Sequence, residues 1–294
     1  MRGFSVSAFA VCRRRWYNKA YRRSAPAGDT DERKRGTCLS TYVIGDIHGC
    51  LNELLRMLDV IAFSEGDRVY LAGDYVDRGP KSLETLRWLE GRPSNVTPVR
   101  GNHEEDMAFT VELMRRAAEA PEVSALDAAA LFRLTARLYE ERGFGAYLPF
   151  DKRGTVERLI AEPSVTPESL YGWAAMIREM PLYVTFPLGG RTCVVVHAGY
   201  RDGAEGAEAR DFCLHARDDA CSRGGVPHGL IVAGHTPTIA REFCFYNDGR
   251  VFRWRDEKRD CVFYNVDCGC AYRSRFPNGR LACLRLEDEA VFYV

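Results

Sequence analysis

Histidine is scarce in this 294-residue chain, six in all, so where each one falls is informative. Long apolar runs are missing as well. None approaches the roughly 18 consecutive residues that cross a bilayer, which excludes a membrane-spanning chain. The eleven cysteines include no C-x-x-C pair; the closest group is "CGC" at Cys268 and Cys270. That lacks the spacing of a structural zinc site, and an odd, scattered set reads as free thiols in a reducing, cytoplasmic setting. Net charge is absent too, with 41 Lys/Arg against 41 Asp/Glu. The balance hides an asymmetry: residues 1–36 hold 10 basic and 3 acidic side chains, and the rest is mildly acidic. The body therefore carries no electrostatic sign of nucleic-acid binding.

The basic leader, residues 1–38, has a short apolar run at Phe4–Cys12 followed by "RRR". It makes a poor signal peptide, because the charges stand on the wrong side and no small-residue cleavage site follows. Asp29, Asp31 and Glu32 argue against an organelle-targeting leader, and a disordered tail is expected.

From Thr41 the pattern is regular. "TYVIGD", "DRVYLAGD" and "VTPVRGN" read as strands, and "LNELLRMLDVI" and "KSLETLRWLE" between them carry apolar residues at helical spacing. This β-α-β-α-β order predicts a parallel sheet and an α/β fold. Asp46, Asp74 and Asn102 lie 28 residues apart, each at the end of its strand. Ligand sites of open α/β sheets lie beyond the carboxyl ends of the strands, so one sheet edge receives all three. Residues 104–180 read as a helical insertion, and the chain after Pro181 as β-rich. There "FCFYNDGRVFRW" suggests two paired strands joined at "NDG".

Collecting the strand ends gives Asp46 with His48, Asp74 with Asp77, Asn102 with His103, His197, and His235. Four of the six histidines are in this set. Carboxylate, amide oxygen and imidazole together suit Mn, Fe or Zn better than Mg or Ca. So many donors exceed one ion's needs and point to two divalent metal ions sharing a carboxylate. The other two histidines, His215 and His228, fall in polar stretches and are expected in solvent, with a substrate-side role open for His215.

The motifs "GDIHG", "GDYVDRG", "RGNHE", "HAG" and "GHTP", in this order over residues 41–270, resemble the phosphoprotein phosphatase family of calcineurin-like metallophosphoesterases, bacterial type. The resemblance implies a four-layer α-β-β-α sandwich spanning 39–294. It implies that Asp46, His48 and Asp74 hold one metal, with Asp74 bridging to a second held by Asn102, His197 and His235. Manganese is the expected metal. Arg78 matches the family's phosphate-gripping arginine, and Arg217 is the candidate for a second; Asn102 also faces the phosphate. Hydrolysis would proceed by direct attack of a metal-bridging hydroxide, with no phosphoenzyme.

A serine or threonine alkoxide leaves poorly without a proton. His103, oriented by Asp77 and free of metal, is expected to donate it. The first reading of substrate is phosphoserine or phosphothreonine in proteins, with phosphotyrosine possible. The alternative is a symmetrical bis(5'-nucleosyl)-tetraphosphatase. Asp77 and "RGNHE" favour the first, while "HAG" and the helical insertion do not. A catalytically dead binding module is a third reading, but no ligand is missing. Cys50, Cys268 and Cys270 stand near these motifs, which opens a redox effect on the centre.

Overall fold

Apolar alternation along the strands sends side chains to two different cores, and that division builds the architecture. The computed structural model describes residues 39–119, 126–143 and 150–294, and the leader at 1–38 lies outside them. One sheet has the order β10-β9-β1-β2-β3, formed by Val291–Tyr293, Ala282–Arg285, Thr41–Ile44, Arg68–Leu71 and Val96–Pro98. The second has the order β4-β5-β6-β8-β7, formed by Tyr183–Leu188, Arg191–Val196, Gly229–Ala233, Cys261–Asn265 and Phe252–Asp256.

In β1, Tyr42 and Ile44 face helices while Val43 faces the opposite sheet. In β6, Leu230 and Val232 face inward, and Ile231 and Ala233 face outward. Val43, Ala72, Val195, Val232 and Val262 thus share a core between the two sheets. On the outer side of the first sheet lie α1 (Leu51–Val60), α2 (Ser82–Glu90), α3 (Asn102–Ala118), α4 (Ala128–Glu141), α5 (Thr155–Ile160) and α6 (Pro167–Glu179). On the outer side of the second lie α7 (Gly206–His215) and α8 (Asp219–Ser222). The result is the expected α-β-β-α sandwich. Helix α1 shows why: Leu51, Leu54, Met57 and Leu58 form one buried stripe. Each fully buried Leu or Met contributes roughly 1.5–3 kcal/mol. No helix among the described residues is long and apolar enough to cross a membrane.

Strands β1, β2 and β3 are parallel, and their pairing steps by 27 residues: Thr41 opposite Arg68, Val69 opposite Val96. The functional spacing is 28, so each successive residue lies one place further along. Asn102 consequently falls beyond its strand, and two expectations need correction. First, β3 ends at Pro98, and Asn102 is the first residue of α3 rather than the end of a strand. Pro98 has no N–H to continue a ladder. Glu104, at the third helical position, accepts the Gly101 N–H and helps start the helix. Second, "FCFYNDGRVFRW" is not a hairpin. Only Phe252–Asp256 is a strand, and it pairs with β8. Asp248 and Gly249 do take left-handed turn conformations (φ 53° and 67°). The turn is anchored instead on Thr238 O, which accepts from both Asn247 N and Gly249 N. Phe245 packs into the outer core of the second sheet against Phe252 and Phe263, 5.1 and 5.5 Å away.

Candidate metal centre

The parallel strands of both sheets deliver their carboxyl ends to one edge, where four of the histidines meet. His197 Nδ1 donates to Ala72 O at 2.8 Å, and His48 Nδ1 to Val76 O at 2.8 Å. Each ring spends its proton on a backbone carbonyl, which leaves Nε2 as a lone pair facing the centre. Around His197 Nε2 lie Asn102 Oδ1 at 3.0 Å and His235 Nδ1 at 3.1 Å; these last two are 3.1 Å apart. Asp74 Oδ1 is 3.3 Å from His197 Nε2. At most one proton, on His235, can sit among these acceptors. Four donor atoms with edges near 3 Å fit a cation with bonds of about 2.1 Å.

The other oxygen of Asp74 serves a second position. Asp74 Oδ2 is 3.4 Å from His48 Nε2, which is 3.9 Å from Asp46 Oδ2. One carboxylate thus faces two donor groups, the arrangement a bridging ligand requires. Burial pushes His48 down to about 3 and also lowers His197 and His235, so all three favour the neutral form that a metal-ligating imidazole needs. Asp46 goes the other way: burial, with Asp267 and Asp74 beside it, raises it well above a usual carboxylate. A divalent ion is the charge that such a pocket needs.

The backbone is bent to suit. His48, Asp74, Asp77, Arg78 and His235 hold φ of 46°, 51°, 70°, 65° and 72°. Each such residue costs on the order of 1–3 kcal/mol, and the surrounding contacts must hold it there. Gly234 lets a carboxylate approach, since a Cβ there would stand 2.0 Å from Asp46 Oδ1. Asp46 also accepts from His235 N with both oxygens, at 3.2 and 3.1 Å.

His103 follows Asn102 in α3, so its ring points elsewhere. Its Nδ1 is 2.6 Å from Asp77 Oδ2, and its Nε2 is 3.6 Å from Asp74 Oδ2. His48, Asp74 and His103 form one tight group of donors, so the geometry brings His103 to the centre's edge with one nitrogen already engaged. Burial works against the Asp77 charge, but His103, Thr155 and Arg158 outweigh it and hold the carboxyl below its usual range. The Arg78 guanidinium lies against His48 Nε2 and 5.0 Å over the Tyr272 ring. Arg217 Nη1 donates to Thr236 Oγ1 at 3.2 Å, next to His235. The candidate metal, phosphate-binding and catalytic residues named from the sequence therefore lie together at this edge. His228 stands in solvent; His215 is exposed on the rim, its ring 6.2 Å from His235.

Four residues were not foreseen. Glu104, fully buried, accepts from Asp74 N, Tyr75 N, Val76 N and Gly101 N at 2.9, 2.7, 3.2 and 3.2 Å. It fixes the loop that carries Asp74 and Asp77; burial and the nearby Asp74 push it up to about 8. Thr155 Oγ1, from α5, lies 2.8 Å from both Asp77 oxygens, and Arg158 also pairs with Asp77. Asp267 follows β8. Its Oδ1 accepts from Gly269 N at 2.9 Å, its Oδ2 is buried without a partner, and burial pushes it up to about 6. The strand-end rule, applied to "NVD", would have found Asp267. The other three carry no local signal.

The calcineurin-like phosphoesterase family model matches residues 39–267. A symmetrical bis(5'-nucleosyl)-tetraphosphatase of Buchnera aphidicola is 49% identical over 70 residues, 24% of this chain and 25% of that protein. The enzyme of the same name from Photobacterium profundum is 39% identical over 116 residues, 38% of this chain and 42% of its own. The matches thus span less than half the length of these curated relatives. A solved metallophosphoesterase from Sphaerobacter thermophilus is 16% identical, with a TM-score of 0.46 over 87% of this chain and 86% of that one.

Proposed function

Because the chain belongs to the calcineurin-like phosphoesterase family, we propose that it hydrolyses dinucleoside polyphosphates, splitting a diadenosine tetraphosphate symmetrically at a two-cation centre. The observation that carries this reading is the 39–49% local identity to enzymes named symmetrical bis(5'-nucleosyl)-tetraphosphatase. It reverses the order read from the sequence, where a protein phosphatase came first.

Asp46, His48 and Asp74 would hold one cation, and Asp74, Asn102, His197 and His235 the other, with manganese the first choice and iron or zinc the alternatives. When bound, two such ions lower the pKa of a water to about 7 and neutralise phosphoryl oxygens. The remaining work falls to the chain. Arg78 and Arg217 bind the phosphoryl oxygens through charge-assisted hydrogen bonds, and Asn102 borders the same space. Asp77 accepts a hydrogen bond from His103 Nδ1–H, which orients the ring so that Nε2–H faces the departing oxygen. Thr155 and Arg158 keep the Asp77 carboxylate in that orientation.

One observation favours a second reading, a phosphomonoesterase on phosphoserine or phosphothreonine. A nucleotide leaves as a phosphate whose own pKa is about 6, so it needs little proton assistance. An alkoxide needs much, and the 2.6 Å His103–Asp77 pair is built to provide it. Turnover of diadenosine tetraphosphate and of a phosphoserine peptide, measured side by side with Mn²⁺, separates the two. The proposal expects a higher kcat/KM on the dinucleotide with ADP as sole nucleotide product. A higher kcat/KM on the peptide reverses it.

A further inference from the structure

The geometry points to a peroxide-operated dithiol–disulfide switch made by Cys50 and Cys270, two cysteines 220 positions apart that meet beside the metal loop. The two sulfurs and a Glu53 carboxylate oxygen all lie within 4.8 Å of one another. Cys50 ends the turn that carries Asp46 and His48. Cys270 opens the short helical turn Cys270–Tyr272, whose tyrosine lies under Arg78. Both are buried, yet both line a groove of about 320 Å³ that also reaches Arg78, Lys81 and Arg273. A small oxidant therefore has a path to them.

A soft-metal site is the poorer account of this trio. Glu53 is already paired with Arg273 Nη1 at 3.0 Å, which leaves two thiols where a structural zinc takes four ligands. Cys268 lies outside this cluster, which joins Cys50, Glu53 and Cys270 alone.

The chemistry balances with hydrogen peroxide as oxidant. One thiol displaces water from the peroxide, breaking the O–O bond and becoming a sulfenic acid. The second thiol attacks that sulfur, the S–S bond forms, and a second water leaves. Two thiols lose two electrons and two protons, and one peroxide becomes two waters.

The bond brings the sulfurs to about 2.05 Å, well inside any non-bonded contact, so the loops must move. Gly79, next to Arg78, packs closely on the Cys50 turn: a Cβ there would stand 2.1 Å from His48 O and 3.1 Å from Cys50 Sγ. The movement is transmitted to Arg78 and Tyr272. A displacement near 1 Å costs as much as about 10²-fold in a positioned site.

The test uses the Mn²⁺-loaded full chain and p-nitrophenyl phosphate, which reads the centre whatever the natural substrate. After treatment with one equivalent of peroxide and thiol blocking, a non-reducing digest is expected to contain the linked Cys50–Cys270 peptide. Activity is expected to fall at least tenfold and to return with dithiothreitol. Cys270→Ser and Cys50→Ala are each expected to keep their activity under the same treatment. Absence of the linked peptide overturns the switch, as does full activity in the linked form. An equal loss in both variants overturns it too, since the oxidation then acts elsewhere.

Discussion

His103 Nδ1 lies 2.6 Å from Asp77 Oδ2, although 26 residues separate them in sequence. Asn102, the residue before His103, points its Oδ1 to within 3.0 Å of His197 Nε2. Because both begin α3, their side chains diverge by the helical turn of about 100° per residue rather than by strand alternation. One helix start therefore sends two adjacent side chains to two different sets of neighbours.

His103→Asn is expected to retain both metals and to lose about 10²–10⁴ in turnover on an alkyl phosphate. An aryl phosphate, whose leaving group needs less proton assistance, is expected to suffer less. Metal analysis and the alkyl-to-aryl ratio check this. Equal losses together with lost metal would make His103 a ligand instead.

Asp74→Asn is expected to weaken both metal positions together, because Oδ1 faces His197 and Oδ2 faces His48. Metal content after dialysis is the measurement. One position still fully occupied would rule out the bridging role.

Gly234→Ala puts a methyl group where a Cβ would stand 2.0 Å from Asp46 Oδ1. Asp46 must then withdraw. Metal stoichiometry should fall from two towards one, with His235 and its neighbours still loaded. Unchanged stoichiometry would show that the His235 loop shifts without consequence.

Arg78→Ala and Arg217→Ala are each expected to lower kcat/KM by about 10- to 100-fold, corresponding to about 1.5–3 kcal/mol for a charge-assisted hydrogen bond. Arg78→Lys should not restore activity, since an ammonium lacks the planar fork. Steady-state kinetics decide. An Arg217→Ala enzyme with unaltered constants would make that side chain a surface arginine.

The metal-free protein should become less stable as pH rises from about 6.5 to 8. Glu104 is raised from 4.5 to about 8, so over that window the folded state holds a proton that the unfolded chain has lost. Stability then falls with pH, by about 1.4 kcal/mol per unit for each such proton. His48, lowered from 6.5 to about 3, acts with the opposite sign but only below 6.5, where the two effects offset. Thermal melts of the chelated protein at pH 6.5 and 8 measure the slope, and Glu104→Gln should reduce it. A melting temperature that rises over this interval would contradict the assignment.

The 28-residue rhythm of Asp46, Asp74 and Asn102 was legible because each repeat of strand and helix has its own apolar period. The His197 and His235 positions were legible as strand ends. Glu104 was not, because its partners are four backbone N–H groups, which no side-chain pattern announces. Thr155 and Arg158 reach Asp77 across 78 and 81 residues, through the packing of α5. Nothing local to "TVER" indicates that contact. The "NDG" misreading has a different cause: the turn conformation was right, but Thr238 O captured its N–H groups. Local propensity fixed the bend, and tertiary contacts chose what it joined.

Asp46 receives the His235 N–H across 189 residues of chain, and Asp267 completes the same wall later still. A ribosome adding about 5–20 residues per second needs many seconds to supply the second half of this centre after the first. Until then the early carboxylates have no imidazole partners from the second sheet. On the proposed function, the nascent chain would therefore be silent through most of its synthesis, with the centre complete only once both sheets have met.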